Sequence, residues 1–428
     1  MRCWVPLFVA LAAVCVQKTA GAVIVADRRE RQCDADMRAH YPAQQVVYET
    51  STPPVIDGAV NGDPVWDAVG WSTDFVDIAT TTVPEFRTRV KLRYDAEYLY
   101  VAAHLVDRAV WANITYSCHC INASEDQVIF HDNDFELFVD TLGTTHWYKE
   151  FEINAANANW NILLDRPYAD GGTENSSRVD GSNGFDFMHR VPPARTAVKV
   201  LDGTLNDPAS RPTGWTVELA LPLKTLAFKT QAKVPPGPGQ YWRANFARVE
   251  WGVRVPPGTN RYEKAPSCQS CADPGAPVSD NWVWTPMMAV DLHVPELWGY
   301  LQFSNVTAEN INRTALVRDP QWPQRWAAHN LFEAQRAIAR DSSAGVYSDD
   351  IQTITRRAAF PDSIAGGCVG DVVVRLGDGG RRYTALIYPA GASGGAGGSS
   401  GSGSGSGVVV TVNEMRLTLA MPLDDAVV

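Results

Sequence analysis

Residues 131–140, HDNDFELFVD, alternate carboxylates with large apolar side chains at the two-residue period of a strand. Successive strand side chains point to opposite faces, so Phe135, Leu137 and Val139 are expected to pack inward while Asp134, Glu136 and Asp140 share the other face. The same device recurs along the chain. Residues 87–94 set Val90, Leu92 and Tyr94 against Arg89, Lys91 and Arg93, and the turn at 95–97 joins them to the apolar run 98–106 as a hairpin. Further strands are predicted over 147–155, 160–164, 196–201, 215–219 and 242–251, with Gly and Pro clusters between them and no long helical period. This pattern predicts an all-β protein built as an antiparallel β-sandwich.

The pattern changes after Phe303. Trp326, Ala327, Leu331, Ala334, Ala337 and Ile338 follow a helical spacing within 322–340, with Arg and Glu on the other side. Extended runs at 372–376, 382–388 and 408–419 predict a small sheet packed on that helix, a C-terminal α+β appendage. Residues 391–407 are nearly all Gly, Ser and Ala and read as a flexible loop. At the other end, an apolar run over 5–16 and the small-residue pattern TAGA at 19–22 read as a secretory signal peptide, 1–22. The expected organisation is a signal, an N-terminal extension over 23–47, a sandwich over 48–304 and the appendage over 305–428. No later segment is apolar for the roughly 20 residues that span a bilayer, so a soluble secreted protein without membrane insertion is expected.

Secretion changes the reading of the cysteines. With the signal removed, Cys33, Cys118, Cys120, Cys268, Cys271 and Cys368 remain, an even set that an oxidising compartment favours as disulfides. Cys118, Cys120, Cys268 and Cys271 could instead be zinc ligands, with His119 as a spare, although the compartment weighs against free thiolates. Sequons at Asn113, Asn122, Asn175, Asn305 and Asn312 mark candidate glycosylation sites of a glycoprotein surface. A net charge of −11 and a pI near 5.2 offer no electrostatic footprint for nucleic acid or anionic membranes. Asp132, Asn133 and Asp134 are hard oxygen donors suited to calcium but lack a full calcium-loop pattern.

Several motifs then appear together in a recognisable order: VIDG at 55–58, VKLRYDAEYLYV at 90–101, DFELFVD at 134–140, FEIN at 151–154, GWTVELALP at 214–222 and WGYLQF at 298–303. Singly weak, as an ordered set over most of 48–303 they resemble family 9 carbohydrate-binding modules, in a longer branch with a C-terminal extension. The resemblance implies a β-sandwich that holds sugars and often carries structural calcium. It also implies that an aromatic residue six positions before the strand glutamate and a tryptophan near the C-terminal end grip the sugar. Those positions are Phe130, with Glu136 as the glutamate, and Trp282 or Trp284, with Asn281 beside them. The sequence departs from the pattern at Phe130, where tryptophan is expected, and at Glu152, where arginine is expected.

Sugar chemistry agrees with these residue types, because pyranose rings offer apolar C–H faces to aromatic rings and hydroxyls to paired donors and acceptors such as Glu136, Glu152, Arg243 and Asn245. Fourteen tryptophans exceed the ordinary needs of a core this size; Trp66, Trp215 and Trp298 read as core, and Trp282 and Trp284 as core or ligand platform. Arg243 and Arg248 read as partners for Glu136, Glu218 or Glu250, or as ligand contacts. Two alternatives remain: a glycoside-acting enzyme or accessory domain of carbohydrate catabolism using Glu136 and Glu152, and a haem-binding sandwich with ligands among His104, His131, His189, Met188, Met287 and Met288. No specific catalytic constellation is visible, and the expectation is a non-catalytic carbohydrate binder.

Overall fold

The computed structural model describes residues 39–115, 128–180, 183–267, 275–306, 310–311, 314–365, 367–392 and 407–423. The chain divides into two compact units, Pro42–Val317 and Arg318–Val428, the second with the chain up to Tyr41. The division falls at 317 rather than at 304 for a physical reason. After the last strand of the larger unit the chain turns back along it, where Val317 N donates to Gln302 Oε1 (3.0 Å) and Val317 O accepts from Gln44 Nε2 (2.7 Å) and Tyr241 Oη (2.8 Å).

The larger unit contains strands β1 (Gln44–Glu49), β2 (Val76–Asp77), β3 (Thr88–Tyr94), β4 (Tyr98–Val106), β5 (Asp134–Asp140), β6 (Tyr148–Asn154), β7 (Asn159–Leu164) and β8 (Glu174–Asn175). They are followed by β9 (Arg195–Leu201), β10 (Gly214–Pro222), β11 (Tyr241–Trp251), β12 (Val253–Arg254), β13 (Glu263–Lys264), β14 (Ser279–Val283) and β15 (Gly299–Ser304). Most form one sheet in the order β8-β7-β6-β5-β11-β15-β1-β3-β4-β10-β9, with β14 and β2 attached beside β11.

This corrects the expectation of a purely antiparallel sandwich. β1 runs parallel to both β15 and β3, so the sheet is mixed, and residues assigned to an N-terminal extension lie in its middle. The sheet curls so that both halves contribute to one core. Leu92 of β3, Leu99 of β4 and Leu219 of β10 join Phe135 and Leu137 of β5, Phe151 and Ile153 of β6, and Phe246 of β11 in one cluster. The alternation read from the sequence therefore holds: the residues assigned inward are those that fill the core.

Local polar chemistry fixes the joints. Asp95 Oδ1 accepts from the amides of Glu97 and Tyr98 (both 2.7 Å), closing the β3–β4 hairpin. The VIDG and WTVE motifs meet in space: Glu218 Oε2 accepts from the amides of Asp57 (3.0 Å) and Gly58 (2.6 Å), and its Oε1 from Trp66 Nε1 (2.5 Å). Gly58 sits at φ +83°, and a Cβ there would lie 2.9 Å from Lys199 Cβ, so this turn requires glycine twice over.

In the smaller unit the predicted helix spans Trp322–Asp341. Strands β16 (Val372–Gly377), β17 (Arg382–Ile387), β18 (Val408–Asn413) and β19 (Thr418–Pro422) form an antiparallel sheet in sequence order. Ala327, Leu331 and Ala334 of the helix pack on Tyr383, Ala385, Ile387, Val410 and Val412. Gln324 Nε2 ties the helix to the carbonyls of Ile387 and Val408 (both 2.9 Å). Of the Gly/Ser-rich stretch, 393–406 lies outside the described residues.

Candidate functional site: a buried carboxylate row and an exposed tryptophan

The outer face of β5 and β6 carries the polar row that the alternation predicts. Glu136 pairs across the strands with Glu152, and Asp134 with Asn154. Asp134, Glu136 and Glu152 are buried, with one carboxylate oxygen from each lying within 4.8 Å of the others. Val249 N donates to Asp134 Oδ1 (3.1 Å) and Phe130 N to Glu152 Oε2 (3.1 Å). Asp134 Oδ2, Glu136 Oε2 and Glu150 Oε2 are buried without a hydrogen-bond partner.

Among the described residues, no lysine or arginine offsets the burial of these carboxyls. Burial pushes Glu136 up to about 8, opposed only by a hydrogen bond from Asp134. Burial first and neighbouring carboxyls second hold Asp134, Glu150 and Glu152 well above the usual carboxylate range. A row like this either keeps protons or gathers around a positive charge.

Of the other expected contacts, most are engaged in the fold. Trp282 and Trp284 are buried at 4% and 3% exposure in the core, which corrects their assignment as sugar platforms. The Arg248 guanidinium lies 5.1 Å from the Trp282 ring centre, and Trp284 packs on Phe246 while its Nε1 donates to Thr73 Oγ1 (3.1 Å). Asn245 is spent on the backbone: Nδ2 donates to Thr285 O (2.9 Å) and Oδ1 accepts from the amides of Thr285 and Phe246 (both 3.0 Å). Arg243 donates to Glu296 O (2.5 Å) and lies over the Tyr300 ring. Asn281 is half-buried on β14 opposite Val249. Phe130 alone among the expected aromatics keeps an exposed ring, at 40%, beside Trp251, whose Nε1 donates to Phe130 O (2.8 Å).

The metal and covalent expectations separate in the same way. Asp132 Oδ2 accepts from the amides of Asn113 and Ile114 and from Asn154 Nδ2, at 2.8, 2.7 and 3.0 Å, so it ties a loop to β6. Asp134 keeps an unpartnered oxygen and fits a cation far better than Asp132 does. The zinc candidates Cys118, Cys120, Cys268, Cys271 and His119 lie outside the described residues, as do Cys33, Asn122 and Asn312. Cys368 is buried. Asn113 and Asn305 are exposed, whereas Asn175 uses its Nδ2 on Asp180 (2.7 Å) and its Oδ1 on Phe185 N (2.7 Å). The haem candidates occupy separate surroundings: Met287 is buried on the outer face with Phe138, Met288 is exposed, His104 lies edge-on to Trp71, His131 beside Phe130, and His189 against Asp186 with Met188 at the core margin.

The residue missed from the sequence is Trp147. Asp140, the last carboxylate of β5, accepts from the amides of Leu142 (3.1 Å), Gly143 (2.8 Å) and Thr145 (2.6 Å), and so shapes the turn before β6. That turn presents Trp147 at φ +58°, an unusual conformation for a bulky residue, with 39% of its surface exposed. Buried Lys149 holds the turn by donating to Trp147 O and Phe228 O (both 2.6 Å). Beside Trp147 opens a cleft of about 660 Å³, lined also by Asp165, Glu174, Asp180, Arg190 and Lys229. It sets the Trp147 ring, with Phe185 and Phe228, among hydrogen-bond donors and acceptors, in a volume usual for a small-ligand site. The signal that could have found it is a tryptophan immediately before β6, two residues after a Gly-Thr-Thr turn.

No family model matches the chain, and no curated protein matches it. Among solved structures it is similar to a family 9 carbohydrate-binding module from Caldicellulosiruptor kristjanssonii in complex with cellotriose, at 16% identity and a TM-score of 0.36, covering 64% of this chain and 100% of the module. The module with glucose gives 16% identity and 0.35 over 61% of this chain and 97% of the other. A candidate carbohydrate-binding protein from Bacteroides uniformis gives 13% identity and 0.40, over 61% of this chain and all (100%) of the other.

Proposed function

We propose that this chain is a secreted, disulfide-linked protein that binds carbohydrate without transforming it, and that the cleft beside Trp147 receives the sugar. The observation that carries the reading is the exposed face of Trp147, held in an unusual backbone conformation at the wall of a polar cleft. A pyranose ring stacks its C–H face on indole, while Asp165, Glu174 and Asp180 accept from hydroxyls and Arg190 and Lys229 donate to them. The ordered motifs similar to family 9 modules support the same ligand class, with Phe130 as a second exposed aromatic contact.

Binding rather than hydrolysis suits the carboxylates. A glycosidase pair flanks a scissile bond at roughly 5–9.5 Å. Glu136 and Glu152 are instead buried against each other and Asp134, one oxygen of each within 4.8 Å of the others. The test is a glycan array followed by calorimetry on the best ligand. Trp147→Ala is expected to weaken binding at least tenfold and Phe130→Ala less. Full affinity in Trp147→Ala would remove the cleft from the reading, no bound glycan at all would remove carbohydrate, and reducing-sugar release that depends on Glu136 would replace binding by hydrolysis.

A further inference from the structure

The outer face of β3 crowds positive charge in an acidic chain. At the two-residue period of a strand Arg87, Arg89, Lys91 and Arg93 all point to that face, successive ones about 7 Å apart, which is within the roughly 8 Å over which salt leaves charges unscreened. β3 begins at Thr88, and Val106 N donating to Arg87 O (2.9 Å) carries its ladder on to Arg87. With 48 acidic side chains against 37 basic ones the chain as a whole runs the other way, so this row is no by-product of a basic surface. Half of it is spent on the fold: Lys91 Nζ donates to Trp66 O (2.7 Å), and Arg93 to Val65 O (3.0 Å) and Glu49 O (2.9 Å). Among the described residues, neither Arg87 nor Arg89 has a carboxylate in ion-pair contact. We propose that Arg87 and Arg89, beside Trp71 and His104, form a binding site for one oxyanion group, a sulfate or a carboxylate.

Trp71 fixes where this charge sits. The Arg89 guanidinium and Lys91 Nζ each lie 4.7 Å from its ring centre, and the His104 ring is edge-on to it at 6.0 Å. Arg89 and His104 are register partners on β3 and β4, both half-buried, and Arg89 Nε and His104 Nδ1 are buried without a hydrogen-bond partner. Burial first and Arg87 second lower the basicity of Arg89, with Asp74 opposing, and burial followed by Arg89, Arg87 and Arg248 lowers that of His104. Like charges therefore act on one another across this face, and an arginine kept only to stack on Trp71 would need no second arginine beside it. A guanidinium presents a planar fork of donors that matches the paired oxygens of a sulfate or carboxylate. Two open cations suit one such group rather than the run of phosphates in a nucleic acid, which the net charge of −11 repels. The oxyanion arrives either free in solution or as a substituent on a polysaccharide. The site is separate from the Trp147 cleft and does not rest on the carbohydrate reading, since inorganic sulfate tests it without any sugar.

The experiment uses the full chain in two arms at constant ionic strength. In the first, Tm is followed as sulfate replaces chloride. Sulfate stabilises folded chains in general by exclusion from their surface, so the reading is the difference between wild type and Arg87→Gln with Arg89→Gln. Wild type is expected to show a saturable rise that the double variant lacks. In the second arm, calorimetry compares dextran sulfate with uncharged dextran. Dextran sulfate is expected to bind about tenfold more tightly than dextran and to weaken as salt rises. The double variant is expected to lose about that factor, and Lys233→Gln, at an exposed lysine on the loop before β11, to lose none of it. Should the double variant fold poorly, Arg87→Gln alone, at an exposed position, is expected to show a smaller loss in the same direction with the circular dichroism of wild type. A difference in the first arm alone assigns the site to a free anion, and one in the second arm assigns it to an acidic group on a polymer. The proposal is overturned if neither arm separates wild type from the arginine variants, or if Lys233→Gln loses as much affinity as they do.

Discussion

Two groups of buried carboxylates lie on opposite faces of the same sheet, and the protein treats them in opposite ways. On the inner face of β11, Arg248 donates to Glu250 Oε2 from Nε (3.0 Å) and Nη2 (2.7 Å), reaches Asp107 Oδ2 at 3.4 Å, and donates to Val106 O and Thr88 Oγ1. Burial raises Glu250, and the adjacent guanidinium is the first force pulling it back. On the outer face, Asp134, Glu136 and Glu152 are as deeply buried, and no such cation acts on them among the described residues. The residue type and the burial match; the partner differs. A carboxylate with its partner in the chain is architecture, whereas a buried set without one is held in its neutral, protonated form by burial.

The sharpest way to break this contrast is to remove the partner on the inner face. Arg248→Met leaves Glu250 and Asp107 buried beside each other, and is expected to cost about 3–5 kcal/mol in chemical denaturation. A loss below 1 kcal/mol would mean that the inner group is not held by its cation, by the scale in.

Next comes the histidine that faces the outer row. His293 Nδ1 lies 3.0 Å from Tyr148 Oη and its Nε2 4.0 Å from Glu150 Oε2, with the Tyr168 ring edge-on and Asp291 favouring its protonation. Burial lowers His293 to about 4. Above its ordinary value of about 6.5 both folded and unfolded states are neutral. As pH falls from there toward about 4, the unfolded chain takes a proton that the folded chain refuses, so stability is lost across that window. The full loss is about 3 kcal/mol. It is read as the difference between wild type and His293→Gln at pH 7 and at pH 4.5, and a difference that does not change with pH would refute it.

Smaller again is the loss at Glu218, whose carboxylate is satisfied by neutral donors rather than by a cation. Glu218→Ala leaves Trp66 Nε1 and the amides of Asp57 and Gly58 without an acceptor, an expected cost of about 2 kcal/mol by thermal or urea unfolding. The smallest change is expected on the outer face. Glu152→Gln keeps an acceptor for Phe130 N while removing an ionisable carboxyl that burial already holds neutral. Its stability is therefore expected to stay within about 0.5 kcal/mol of wild type or to rise, the opposite sign from Arg248→Met. A loss of 2 kcal/mol or more on that scale would put both carboxylate groups in the same structural class.

Much of this was present in the residues themselves. The alternation in β5 and β6 told which side chains fill the core and which form the polar row, and Phe135, Leu137, Phe151 and Ile153 obey it. The helical spacing from Trp326 to Ile338 marked the long helix, and Asp95 marked its hairpin. These succeed because a two- or 3.6-residue period is imposed by local backbone geometry, whatever the chain does elsewhere. Partnership is decided elsewhere. That β1 is a central parallel strand depends on ladders to β15 and β3, which are more than 40 residues away in sequence at Arg93 and farther still at Tyr300. The inward turn of Trp282 and Trp284 depends on β14 pairing with β11, and the exposure of Trp147 on three amides converging on Asp140. Sequence alone determined that carboxylates would stand in a row on one face. Only the tertiary structure decided that the arginines would be spent elsewhere, because charge compensation is a matter of distance in space and leaves no period along the chain.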